Sequence, residues 1–150
     1  MLHHLVVVRP QYLRRILEGA KTVECRLSRY RQSPFGSVWA GDHLWFKLAG
    51  GPILLTASVA KATFIHPLTP KLVREIRREH GRQIQAGVEF FHAHTHARYA
   101  TLVLIAGVQR IAPLEIVKRD RRSWVVLRDP PRSGFPVLAA STSAVEQSCL

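Results

Sequence analysis

A chain of 150 residues has room for one domain and one hydrophobic core but not two. Hydrophobic residues at 47% and charged residues at 21% exclude a disordered chain, and no apolar run approaches the ~20 residues that span a bilayer. Twenty-two Lys and Arg against ten Asp and Glu give a formal net charge of +12, which favours polyanionic partners through long-range attraction and counterion release.

The run Leu5-Val6-Val7-Val8 reads as a short strand. It is too short for a signal-peptide core and no cleavage site follows it, so a cytoplasmic location is expected. Pro10 suits a first helical position, and Tyr12, Leu13, Ile16 and Leu17 recur at helical spacing up to Gly19, a C-terminal cap. From Lys21 to Leu27 the pattern alternates, with Val23, Cys25 and Leu27 on one side and Thr22, Glu24 and Arg26 on the other. Residues 28–37 make a loop.

Gly41-Asp42 turns into a strand at His43–Leu48, and Gly50-Gly51-Pro52 breaks it. Ile53–Ile65 is a long strand whose apolar phase slips near Ala60-Lys61, which predicts a bulge or bend. Thr69-Pro70 opens a helix with an apolar stripe of Leu72, Val73 and Ile76. Gly81 is expected to end or interrupt it, and a second short helix is expected within Gln83–His92. Tyr99–Ile111 is the central strand, stopped by Pro113; Trp124–Leu127 is the last strand. Pro, Ser, Ala and Thr dominate the remainder, so the domain is expected to span 1–128 and a flexible tail 129–150. Strands with helices inserted at one end indicate a mixed α+β barrel rather than a parallel α/β sheet.

Within this order, Gly19-Ala20-Lys21-Thr22-Val23-Glu24-Cys25-Arg26 matches the pattern GxKxxExR, and the chain resembles the ASCH family of the PUA-like superfamily. The resemblance covers roughly residues 4–128 and implies a PUA-like mixed β-barrel with flanking helices and a cleft beside the motif. It also implies RNA binding, or, as in some small bacterial relatives, catalysis: amide hydrolysis of N4-acylated cytidine or RNA cleavage. In a catalytic member Lys21 and Glu24 would be the catalytic pair. Glu24 stands where the amidohydrolases carry a catalytic threonine, which counts against that chemistry.

The residues themselves leave several readings open. Lys21 at a helix-to-strand corner either meets the negative end of the helix dipole or contacts a ligand. Glu24 and Arg26, two apart on a strand, form an ion pair, or accept from a base amine and grip phosphate, or both. Thr22 shares their face. Trp45, on the face opposite Leu44 and Phe46, and Tyr30, between Arg29 and Arg31, are candidate stacking surfaces among residues that usually pack cores. Arg74 and Arg78 on the basic helix, with the basic turn 118–122, are candidate phosphate contacts.

His92, His94 and His96 alternate, and a strand would place them on one side; with no Cys or carboxylate nearby, no metal and no cofactor are expected. Cys25 and Cys149 allow at most one bridge, and a reducing compartment is the simpler expectation. The expected partner is RNA, single-stranded for preference, or a modified nucleoside, with no membrane.

Overall fold

The computed structural model describes residues 1–141 and 144–145. Six strands, β1 (His3–Val8), β2 (Val23–Ser28), β3 (His43–Leu48), β4 (Ile53–Ile65), β5 (Tyr99–Leu114) and β6 (Trp124–Leu127), form one mixed sheet in the order β2-β5-β4-β3-β1-β6. β1 runs parallel to β3 and every other pairing is antiparallel. The sheet curls into a half-barrel flanked by α1 (Pro10–Leu17), α2 (Pro70–Ile84) and α3 (Val88–Ala93), an α+β PUA-like architecture as expected. No helix among the described residues is long and apolar enough to cross a membrane.

Curvature comes from the long strands. β4 shifts register against β5 between Val59 and Lys61, where the apolar phase slips in the sequence, and twice more nearer its start. Each extra residue bends and twists the strand. The concave face holds the main core of Val6, Val8, Leu44, Phe46, Leu55 and Val103, onto which α1 turns Leu13 and Ile16. α2 presents Val73, Ile76 and Ile84 to Val23, Cys25 and Leu102 of the other end of the sheet. Side chains three and four apart share a helix face, so these stripes dock without exposing much apolar surface.

Helix ends follow local chemistry. Thr69 Oγ1 accepts from the Leu72 amide at 3.2 Å, with Pro70 at the first helical position. Gly81 neither ends nor interrupts α2; the helix runs on to Ile84, a buried anchor, and closes at Gln85 in a left-handed conformation with φ 57°. The short second helix is consequently confined to Val88–Ala93. Pro113 does not stop β5, which continues to pair Leu114 with Ile53.

The segment expected to be a tail from residue 129 is tied to the sheet as far as Ala140. Arg128 donates to the Leu138 carbonyl and Ala140 to that of Val126, both at 2.8 Å, while Val137 packs against the cluster of Leu5, Val125 and Leu127. Compositional bias did not reveal that this stretch covers the open edge of β6. Residues 142, 143 and 146–150 of that expected tail, including Cys149, lie outside the described residues.

Candidate nucleic-acid cleft beside β2

β2 is one margin of the sheet, and the end of β1 faces it across an open seam. Between them lies a cleft of about 700 Å³. Val7 and Val8 of β1, Tyr12 of α1, Glu24 and Arg26 of β2, the loop residues Gln32–Pro34, Phe90 and His94 around α3, and Ser123 and Trp124 line it. Its size is that of an ordinary small-molecule pocket.

Arg26 spans the seam. Its Nε donates to Glu24 Oε1 at 2.8 Å, one terminal nitrogen to Ser123 Oγ at 2.8 Å, and the other to the Val7 carbonyl at 3.1 Å. The guanidinium carbon lies 5.5 Å from the centre of the Trp124 ring. Trp124 is fixed from behind: its indole N–H donates to His4 Nδ1 at 3.0 Å, which leaves the His4 hydrogen on Nε2 to donate to Asp42 Oδ2 at 2.8 Å. Asp42 also accepts from the amides of Leu2 and Trp39.

Glu24 lies in the cleft wall with a side chain only 8% exposed. Burial alone pushes its carboxyl up, but the charges of Lys21 and Arg26 and their bonds more than offset this and hold it below the usual carboxylate range. Oε1 is taken by Arg26, whereas Oε2 is the buried side-chain oxygen or nitrogen that has no hydrogen-bond partner among the described residues. Its nearest cation, Lys21 Nζ, stands at 3.5 Å, the outer limit for a hydrogen bond. An ionised carboxylate can only accept, and this oxygen is buried facing the Lys21 ammonium.

Lys21 does not line the cleft; it is 4% exposed. Nζ donates to the Ile84 carbonyl at 2.5 Å and to that of Val23 at 3.1 Å. Thr22 N bonds the Gln83 carbonyl and an Arg15 terminal nitrogen bonds that of Gln85, so three consecutive carbonyls at the end of α2 are satisfied from this corner. The helix whose negative end Lys21 meets is therefore α2, not the α1 that precedes it in sequence. The turn that delivers it depends on Gly19, at φ 80°. Only the folding of α2 onto β2 supplies these partners.

The other candidates separate. Glu24 and Arg26 stand together in the cleft, but Thr22 is occupied through its backbone at the α2 corner. Trp45 packs with the Leu5, Ile53 and Val125 cluster and donates its indole N–H to His3 at 3.1 Å, away from the cleft. Tyr30 is 68% exposed and stacks with Arg29 outside it. Arg74 and Arg78 lie on the exposed side of α2, Arg78 against Glu79. In the basic turn, Arg122 is occupied by Asp120.

The histidines do not form a strand. His92 is in α3, His94 closes that helix and lines the cleft, and His96 follows in a turn. No group of three or more His, Cys, Asp or Glu gathers among the described residues. Cys25, facing the core, has its thiol pushed up to about 12, first by burial and then by the Glu24 charge, so it offers no thiolate at neutral pH. Ser123, His94 and the Gln32–Pro34 loop carried no local signal. They reach the cleft through the pairing of β1 with β6 and the placement of α3.

No protein-family model and no curated protein matches the chain. Solved structures do. The ASCH protein of Zymomonas mobilis superposes with a TM-score of 0.60 at 16% identity, covering 98% of this chain and 93% of that one. A tyrosine-to-phenylalanine variant of it gives 0.60 at 17%, covering 98% and 96%, and a serine-to-alanine variant 0.59 at 17%, covering 75% and 72%. At these identities the likeness shows a shared fold, and that fold is ASCH-like.

Proposed function

We propose that this chain is an ASCH-type module that binds single-stranded nucleic acid, RNA for preference, by admitting one exposed base to the cleft beside β2. The observation that carries this reading is the ionised Glu24 carboxylate in the cleft wall, bound through Oε1 to Arg26 and faced at Oε2 by Lys21 at 3.5 Å. The exocyclic amine of cytosine, adenine or guanine can donate to this carboxylate; uracil has no such amine. Arg26 and Ser123 add polar groups beside it, Trp124 and Phe90 apolar ones, and the net charge of +12 draws the phosphate backbone to the molecule.

Lys21 supports the site from behind rather than acting in it. Its amine donates to two carbonyls and stands 3.5 Å from the Glu24 carboxylate, and it lies outside the cleft lining. The residue that first suggests catalysis thus serves best as a positioning donor for Glu24.

The test is a titration of short single-stranded oligonucleotides of C, A or U. C and A are expected to bind more tightly than U, and Glu24→Gln is expected to reduce that preference by about tenfold, the value of one charge-assisted bond. Equal affinity for all three, unaltered in Glu24→Gln, would overturn the reading. Turnover of N4-acetylcytidine or labelled RNA, lost in Glu24→Gln, would replace it with a catalytic one.

A further inference from the structure

Next to the cleft is a second hollow of about 570 Å³, lined by Arg29 from the loop after β2, Thr69 ahead of α2, and Thr95, His96 and Arg98 ahead of β5. Its lining contains no carboxylate, and neither Arg29 nor Arg98 is paired with an acid among the described residues. Both arginines are exposed. Two guanidinium groups without an acidic partner among the described residues, Arg29 lying over the Tyr30 ring, stand beside threonine hydroxyls, a lining that suits an anion with several acceptor oxygens. The frame is held in place: the Arg98 amide donates to the Ser28 carbonyl, and the Arg98 carbonyl accepts from Leu68 N, each at 2.8 Å, and from His66 Nδ1 at 2.9 Å. His66 is in turn stacked flat on Tyr99, with ring centres 4.1 Å apart.

The two hollows adjoin. Ser28 and His94 line the cleft, while Arg29 and Thr95, the residues directly following them, line the second hollow. Consecutive Cα atoms are only ~3.8 Å apart, so the two linings share backbone at residues 28–29 and 94–95. We propose that this second hollow is a phosphate subsite, in which Arg29 and Arg98 hold a backbone phosphodiester of the nucleotide next to the one whose base occupies the cleft. The assignment of the phosphate to nucleic acid rests on the function proposed above; the anion site itself rests on the hollow alone.

The experiment uses three probes, a tetranucleotide of C, the nucleoside cytidine and inorganic phosphate, against the wild-type protein and Arg29→Gln/Arg98→Gln. Neither arginine side chain makes a hydrogen bond among the described residues, so the double variant is expected to fold, which its circular dichroism checks. The tetranucleotide is expected to bind about tenfold more weakly to the double variant, with a salt slope shallower by ~0.7, the value of one released phosphate. Cytidine binding is expected to stay the same. Unchanged tetranucleotide affinity and slope would overturn the subsite. Inorganic phosphate that shifts the amide resonances of residues 95–98 in the wild type, with no tetranucleotide effect of the double variant, would overturn the diester assignment. Failure of cytidine to bind, with the tetranucleotide effect intact, would sustain the anion site and overturn the cleft reading alone.

Discussion

Lys21 and Glu24 are three residues apart, and each needs the other in the folded state. Removing the Lys21 amine would leave the Ile84 carbonyl unpaired and Glu24 with one cation fewer in a buried setting. Breaking a buried pair on one side costs ~3–5 kcal/mol. Lys21→Ala is therefore expected to lower the urea midpoint strongly; an unchanged midpoint would show that its place at the end of α2 contributes nothing. Acid acts at the same scale. Glu24 and Asp42 are both held below the ordinary carboxylate range although burial pushes each upward. Lys21 and Arg26 oppose it at Glu24; at Asp42, His4 and the Leu2 and Trp39 amides do. A carboxyl depressed in the folded state contributes stability in full above its unfolded value of ~4 and loses it as pH falls through the lower folded value. Stability measured by urea is expected to fall below pH ~4, and Asp42→Asn to weaken that dependence. A midpoint equally steep in pH for wild type and variant would contradict the assignment to Asp42.

Among the elements, the α1–β2 corner and the end of α2 form one joint. Gly19 takes φ 80°, and a Cβ there would meet nothing within 4 Å. The cost of Gly19→Ala is thus conformational rather than steric, ~1–2 kcal/mol. Its expected effect is a fall in stability of that size with nucleic-acid affinity per folded molecule retained; a neutral substitution would mean the corner relaxes freely. Bridging the open seam between β2 and the end of β1 has a similar logic. β2 and β1 are not hydrogen-bonded neighbours, and the Arg26 guanidinium reaches from one to the carbonyl of Val7 on the other. The cleft is thus a consequence of incomplete barrel closure, lined by backbone ends and by the side chains that bridge them.

At the scale of the whole molecule, the stretch 129–140 completes the sheet that its sequence does not announce. Ending the chain at Asp129 would remove the bonds from Leu138 and Ala140 to β6 and uncover the cluster of Leu5, Val125 and Leu127. Two exposed backbone pairs and one apolar side chain correspond to a loss of ~2–5 kcal/mol. The shortened chain is expected to melt at a lower temperature and to bind a hydrophobic dye; equal melting would return the segment to the status of a tail. The net charge acts over the same range, and oligonucleotide affinity is expected to weaken ~10²–10³-fold between low and moderately raised salt if several phosphates are neutralised.

Periodicity and punctuation in the amino-acid order determined the strands, α1, α2, the bulge near Ala60 and the pairing of Glu24 with Arg26, because these depend on side chains at fixed local spacing. The extent of α2 past Gly81 and of β5 past Pro113 escaped it, since burial of Ile84 and pairing with Ile53 outweigh local propensity. Tertiary structure alone decided which motif residues face the cleft. Lys21 turns to the Ile84 carbonyl, 63 residues away in sequence, Trp45 to the opposite side of the sheet, and Ser123, His94 and the Gln32–Pro34 loop inward to the seam. A cleft between one sheet margin and the end of an inner strand is made by long-range pairing, and no local pattern encodes which distant side chains that pairing brings to its walls.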